Sequence, residues 1–121
     1  LDTVSNPSFH TTMFIIVYNS LPQQADDIEP MMNIVVWKEG LDTVSVVFPR
    51  RKHRPDCYSK EGDEQYLISP GALDMGGLLI LPRQTDFERI DERLLMEVMK
   101  EVVLPTEAMQ EVTEKIRNKG I

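Results

Sequence analysis

"MMNIVVWKEGLDTVSVVFPR", residues 31–50, carries the clearest local fold signal in the chain. An apolar run from Met31 to Trp37 ends at Glu39-Gly40, and a second run rich in β-branched residues follows from Leu41 to Phe48. Two such runs around a short glycine-containing break read as a strand, a tight turn and a strand, hence a β-hairpin. Upstream, "TMFIIVY" (12–18) is rich in β-branched and aromatic residues without clean alternation. That is the pattern of a strand buried on both faces. Between them, "NSLPQQADDIEP" (19–30), with two prolines and an Asp-Asp pair, reads as a connecting loop. The pentapeptide LDTVS occurs at 1–5 and again at 41–45, but the continuations differ and no repeat is established.

Working downstream, "RPDCYSKEGDEQ" (54–65) is polar and turn-rich, an exposed loop. In "YLISPGALDMGGLLILPR" (66–83), Ser69 can cap a short helical turn begun by Pro70, Gly76-Gly77 break it, and "LLIL" (78–81) supplies a fourth strand. Thr85 and Glu88 have capping-box spacing, and Ile90, Leu94, Leu95, Val98 and Val102 recur at helical intervals. A helix over about 86–103 is therefore predicted. Pro105 stops it, and Ala108, Val112 and Ile116 mark a second amphipathic helix that closes on Lys/Arg and Gly120. The expected fold is α+β: an antiparallel sheet of about four strands, with two C-terminal helices covering one face. Met13, Phe14, Met31, Met32 and Trp37 are expected in the core.

The length of 121 residues and an apolar content of 41% suit one domain, 1–121, around a single core. No apolar run approaches the roughly 18 residues that a membrane span needs. A net charge of −7 argues against nucleic acid or an anionic membrane as partner, since both recognise basic surfaces. A single cysteine, Cys57, beside seven methionines fits a reducing compartment, and the cytoplasm is the expected location. Leu1 opens almost directly on a strand-like run, so the chain is expected to be a fragment of a longer protein.

Against this acidic background stands a basic knot within "FPRRKHRPDC" (48–57): Arg50, Arg51, Lys52 and Arg54 around His53. Pro49 sets the exit from the preceding strand, so these side chains leave the end of a rigid element. Arginine forks grip phosphate or carboxylate bidentately, lysine adds a point charge, and histidine titrates near neutrality. The knot is thus a candidate site for an anion or nucleotide. The competing reading is a solvated turn whose cations balance nearby carboxylates or cross to the acidic helices. Asp74, Gly76 and Gly77 of "DMGG" are weaker candidates. Glycines let backbone approach a ligand and Asp74 can accept a hydroxyl, yet an unusual strand entry and a turn cap explain them equally well. Cys57 is either a thiol activated by the cations or a structural one. His10 and His53 have no Cys, Asp or Glu at ligand spacing, so no metal site is expected. The chain holds no P-loop, dinucleotide fingerprint or nucleophile elbow, and no cofactor is implied.

Taken in order, "YNSL" (18–21), the hairpin into "VVFPRRKHRP" (46–55), and "ISPGALDMGGLLILPRQTDFERI" (68–90) before a helix resemble the C-terminal portion of histidine-triad-superfamily nucleotide phosphorylases and nucleotidyltransferases. GDP-galactose phosphorylase and diadenosine tetraphosphate phosphorylase are the nearer members, galactose-1-phosphate uridylyltransferase a more distant one. The resemblance spans most of residues 10–103. It implies a histidine-triad-like fold and a parent enzyme that moves a nucleoside monophosphate through a nucleotidyl-histidine intermediate. The family's His-x-His nucleophile segment has no match, because neither "FHTT" (9–12) nor "KHRP" (52–55) has that spacing. On this resemblance the chain is a downstream piece, inactive alone, with no catalytic residue of its own. Its implied partners are a nucleotide or sugar-phosphate ligand and the remainder of the parent chain. The alternative is a non-catalytic interaction or homodimerisation module with a basic docking corner.

Overall fold

The computed structural model describes residues 7–23 and 25–119, the first four of them by backbone alone. Helix α1 (Pro7–Ser20) precedes a hairpin of β1 (Met32–Glu39) and β2 (Asp42–Pro49). Two 3₁₀ turns, Asp56–Ser59 and Gly62–Glu64, lead to a short helix α2 (Ala72–Met75), then α3 (Gln84–Arg89), α4 (Glu92–Val102) and α5 (Thr106–Arg117). The class is α+β, and among the described residues the sheet has two antiparallel strands. No described helix is long and apolar enough to cross a membrane.

The hairpin forms where expected, in register from Met32 opposite Pro49 to Glu39 opposite Asp42. Gly40 opens its two-residue turn at φ +62°, a conformation that costs glycine nothing. The other two expected strands are absent from the sheet, each for a local reason. Residues 12–18 lie within α1. Ser20 Oγ donates to the Ile16 carbonyl at 2.7 Å, Phe14 and Tyr18 pair their rings one turn apart, and α1 packs on α5. Helix propensity disfavours Ile and Val by less than about 0.7 kcal/mol each, so packing against a second helix outweighs it. In 78–81, the Leu78 N–H bonds the Leu73 carbonyl at 2.9 Å and the Ile80 N–H bonds Asp74 Oδ1 at 3.0 Å. The alternate donors that one edge of a ladder requires are thereby committed to closing α2.

The helix expected over 86–103 is split. Ile90 takes an extended conformation, and Asp91 caps α4 by accepting the Leu94 N–H at 2.7 Å. A well-placed aspartate cap stabilises a helix start by about 1 kcal/mol, enough to favour a restart over continuation. Thr85 and Glu88 form no capping box, because α3 begins after Arg83 with no side-chain cap. The C-terminal helices also leave the sheet uncovered: α5 packs on α1, and the hairpin is packed instead by α2 against β1.

The core gathers Leu21, Ile68, Val98 and Val102 of α4, Leu104 of the α4–α5 linker, and Val112 of α5. Met13, Phe14, Met31 and Met32 are half-buried, and Trp37 of β1 is 40% exposed, so the expected aromatic and methionine core is only partly realised. What joins hairpin to helices is backbone. Arg50 bridges Val103, the Arg51 N–H donates to the Val102 carbonyl at 2.9 Å, and the Leu104 N–H donates to the Pro49 carbonyl at 3.2 Å.

Candidate functional site

This join is where the basic knot lies, and its cations divide sharply by environment. Arg50 is buried, at 7% exposure. Its Nη1 donates to Asn33 Oδ1 at 2.7 Å and to the Pro70 carbonyl; its Nη2 donates to the carbonyls of Lys52 at 3.1 Å and His53 at 2.8 Å. One side chain thereby ties β1, β2, the knot and the approach to α2. Burial lowers the Arg50 pKa from its ordinary value, with the charge of Asp74 opposing that shift.

Arg51 and Lys52 close the C-terminal end of α4. Arg51 Nε and Nη2 donate to the Glu101 carbonyl at 3.2 and 2.8 Å. Lys52 Nζ sits 2.7 Å from both Asp56 Oδ1 and Glu101 Oε1, and the same Glu101 oxygen accepts the Asp56 N–H at 2.7 Å. Cations at this end complement the partial negative charge of the last helical carbonyls. The hydrogen bonds to Asp56 and Glu101 raise the Lys52 pKa, and that to Lys52 lowers the Asp56 pKa. Arg54 is exposed, its guanidinium 4.2 Å from the Tyr58 ring centre and its Nε 3.3 Å from Ser69 Oγ. His53 is exposed.

Asp74, Gly76 and Gly77 lie across the Pro70 contact from Arg50. Asp74 Oδ2 accepts the Gly71 N–H at 2.8 Å and its Oδ1 accepts that of Ile80, so this carboxylate caps α2. Gly77 has φ +105°, where any side chain is strained. A Cβ on Gly76 would meet the Ala72 carbonyl oxygen at 3.4 Å and Val35 Cγ2 at 3.8 Å, ordinary van der Waals separations, so the contact of α2 with β1 does not itself demand glycine here. Cys57 is half-buried, and burial followed by the charge of Glu101 raises its pKa, the opposite of thiol activation by the neighbouring cations. His10 lies in α1, its side chain outside the described residues. No cluster of three or more metal-ligating side chains occurs among the described residues.

A second ionic centre escaped the sequence reading. Asp86 is fully buried. Its Oδ2 accepts Arg83 Nε and the Leu67 N–H, both at 2.9 Å, and its Oδ1 accepts Arg83 Nη2 at 2.9 Å and Arg89 Nη2 at 3.1 Å. The hydrogen bonds from Arg83 lead in holding its pKa down at about 2. Arg83 and Arg89 also donate to the Gln65 carbonyl, at 3.0 and 3.1 Å, and Arg89 stacks 4.5 Å from the centre of the Tyr66 ring. The signal was present as Arg-x-x-Asp-x-x-Arg over 83–89, a spacing that brings both guanidiniums to one carboxylate on a helical turn.

Compared with known proteins, the chain matches no curated protein and no solved structure significantly. It does match one family model, described as "GDPGP1-like, C-terminal domain", over residues 24–120. That span covers the hairpin, the knot, the Asp86 centre and α2 to α5. With most of its length inside the match, the chain belongs to the GDPGP1-like, C-terminal domain family, a domain related to GDP-hexose phosphorylases.

Proposed function

We propose that the chain is the C-terminal domain of a GDP-hexose phosphorylase of the histidine-triad superfamily, and that the enzyme's nucleophile lies upstream in a His-x-His segment. The observation that carries this reading is the family match over 24–120, taken with the spacing of His10 and His53, neither of which has a second histidine two positions away. In the proposed reaction the upstream histidine attacks the α-phosphorus of GDP-hexose and hexose 1-phosphate leaves. Inorganic phosphate then attacks the guanylyl-histidine, releasing GDP and restoring the histidine.

The domain's contribution is support and charge. Arg50, Arg51 and Lys52 brace the join of hairpin and α4 through the contacts described above. Exposed His53 and Arg54, held at that corner, are the knot residues best placed to meet a phosphate of the substrate. Phosphate-dependent release of GDP from GDP-hexose tests the reading. The 121-residue chain is expected to give none, and the chain joined to an upstream His-x-His segment is expected to give turnover. Turnover by the chain alone, or none by the longer protein, would overturn it.

A further inference from the structure

The guanidinium fork of Arg54 is held from behind and open in front. Its backbone is fixed on both sides: Arg50 Nη2 donates to the carbonyls of Lys52 and His53 at 3.1 and 2.8 Å, and Pro55 is fully buried. Its side chain is fixed as well, with the guanidinium 4.2 Å from the Tyr58 ring centre and Nε donating to Ser69 Oγ at 3.3 Å. Ser69 is anchored in turn, between the fully buried Ile68 and the buried Pro70, whose carbonyl accepts Arg50 Nη1. Arg54 Nη1 and Nη2 have no hydrogen-bond or carboxylate partner among the described residues. Arg89 shows the closed form of the same arrangement. It stacks 4.5 Å from the centre of the Tyr66 ring, but its terminal nitrogens are engaged with the carbonyls of Asp63 and Gln65 and with Asp86.

We propose that Arg54 binds a phosphate group through its two terminal nitrogens, and that Tyr58 and Ser69 are the positioning residues that hold its fork for that group. A guanidinium grips two phosphate oxygens in one plane. The stack on Tyr58 sets that plane, and the bond to Ser69 Oγ sets the rotation within it. A fork fixed before its ligand arrives does not lose the rotamer freedom that a loose surface arginine loses on binding, so more of the ionic attraction is expressed as affinity. Arg54 is exposed, so a phosphate carried on a larger molecule can reach it as readily as a free one. The choice of phosphate over a carboxylate rests on the function proposed above; the open fork does not. That reaction offers the group from two sources, inorganic phosphate and hexose 1-phosphate.

Titration of the 121-residue chain with inorganic phosphate and with a hexose 1-phosphate, at constant ionic strength and followed by the Arg54 Nε–H resonance and calorimetry, tests the proposal. Saturable shifts are expected at Arg54, Tyr58 and Ser69 with either ligand and none with acetate, and the tighter of the two phosphates identifies the source. Arg54→Lys keeps the charge but loses the fork, and is expected to weaken binding about tenfold. Tyr58→Leu removes the stacking face and is expected to weaken it about two- to fivefold, the scale of an exposed cation–π contact, while Tyr58→Phe keeps the parent affinity. Ser69→Ala is expected to cost a similar factor. Urea midpoints near that of the parent chain show that the variants are folded. Absence of saturable shifts, acetate binding as tight as phosphate, or undiminished affinity in Arg54→Lys would overturn the proposal, and equal affinity in Tyr58→Leu and Tyr58→Phe would overturn the positioning role. GDP release by the longer protein that Arg54→Lys leaves unchanged sinks the site and leaves the phosphorylase reading standing. Phosphate binding at Arg54 without GDP release does the reverse.

Discussion

Arg50→Met is expected to destabilise the chain by about 3–5 kcal/mol, a large share of the 5–15 kcal/mol typical of a whole domain. The substitution keeps much of the side chain's bulk, so the cost isolates the polar contacts. It removes a charged donor from Asn33 and from the carbonyls of Pro70, Lys52 and His53, and leaves those acceptors at a buried join. Hydrogen bonds from a charged group contribute about 1.5–3 kcal/mol each, and losses within one network are not additive. Arg50→Lys is expected to recover little, because a single ammonium cannot span four acceptors on three segments. Urea unfolding provides the measurement, and a loss under about 1 kcal/mol would show that the guanidinium does not hold the join.

The second large effect centres on Asp86 and carries a pH signature. Its carboxyl titrates at about 2 in the folded chain against an ordinary 3.8. A carboxylate depressed in this way contributes its full stability above the unfolded value of 3.8, and that contribution is lost as pH falls from there through about 2. The linkage is worth up to about 2 kcal/mol, less where solvent screens the one-third-exposed arginines. Asp86→Asn should therefore lower stability at pH 7 and, between pH 3.8 and 2, lose less further stability than the parent chain does. Parallel stability curves for the two proteins across that window would refute the assignment.

How far the sequence discloses the fold differs by element. The hairpin and α5 were legible because turn chemistry and helical periodicity are local, and no tertiary contact competes with them. The segment 12–18 was misread because β-branched composition records a preference for packed surroundings, which α5 supplies as readily as a sheet would. The "LLIL" run was misread for want of one long-range fact, the capture of its alternate N–H groups by Leu73 and Asp74. The split at Ile90-Asp91 was visible in principle, since aspartate caps a helix better than it extends one. At the site, the charge of the knot was plain in the sequence. Its division into the buried Arg50, the helix-closing Arg51 and Lys52, and the exposed His53 and Arg54 depends on the Pro49–Leu104 and Arg51–Val102 backbone pairing.

On the proposed function, this chain serves a guanylyl-transferring enzyme without carrying its nucleophile. Incubation with GDP-hexose labelled at the α-phosphate, followed by denaturation and detection of acid-labile covalent label, measures that directly. Label is expected on the His-x-His segment of the longer protein and none on the 121-residue chain, whether alone or within it. Label on His10 or His53 would overturn the proposed function.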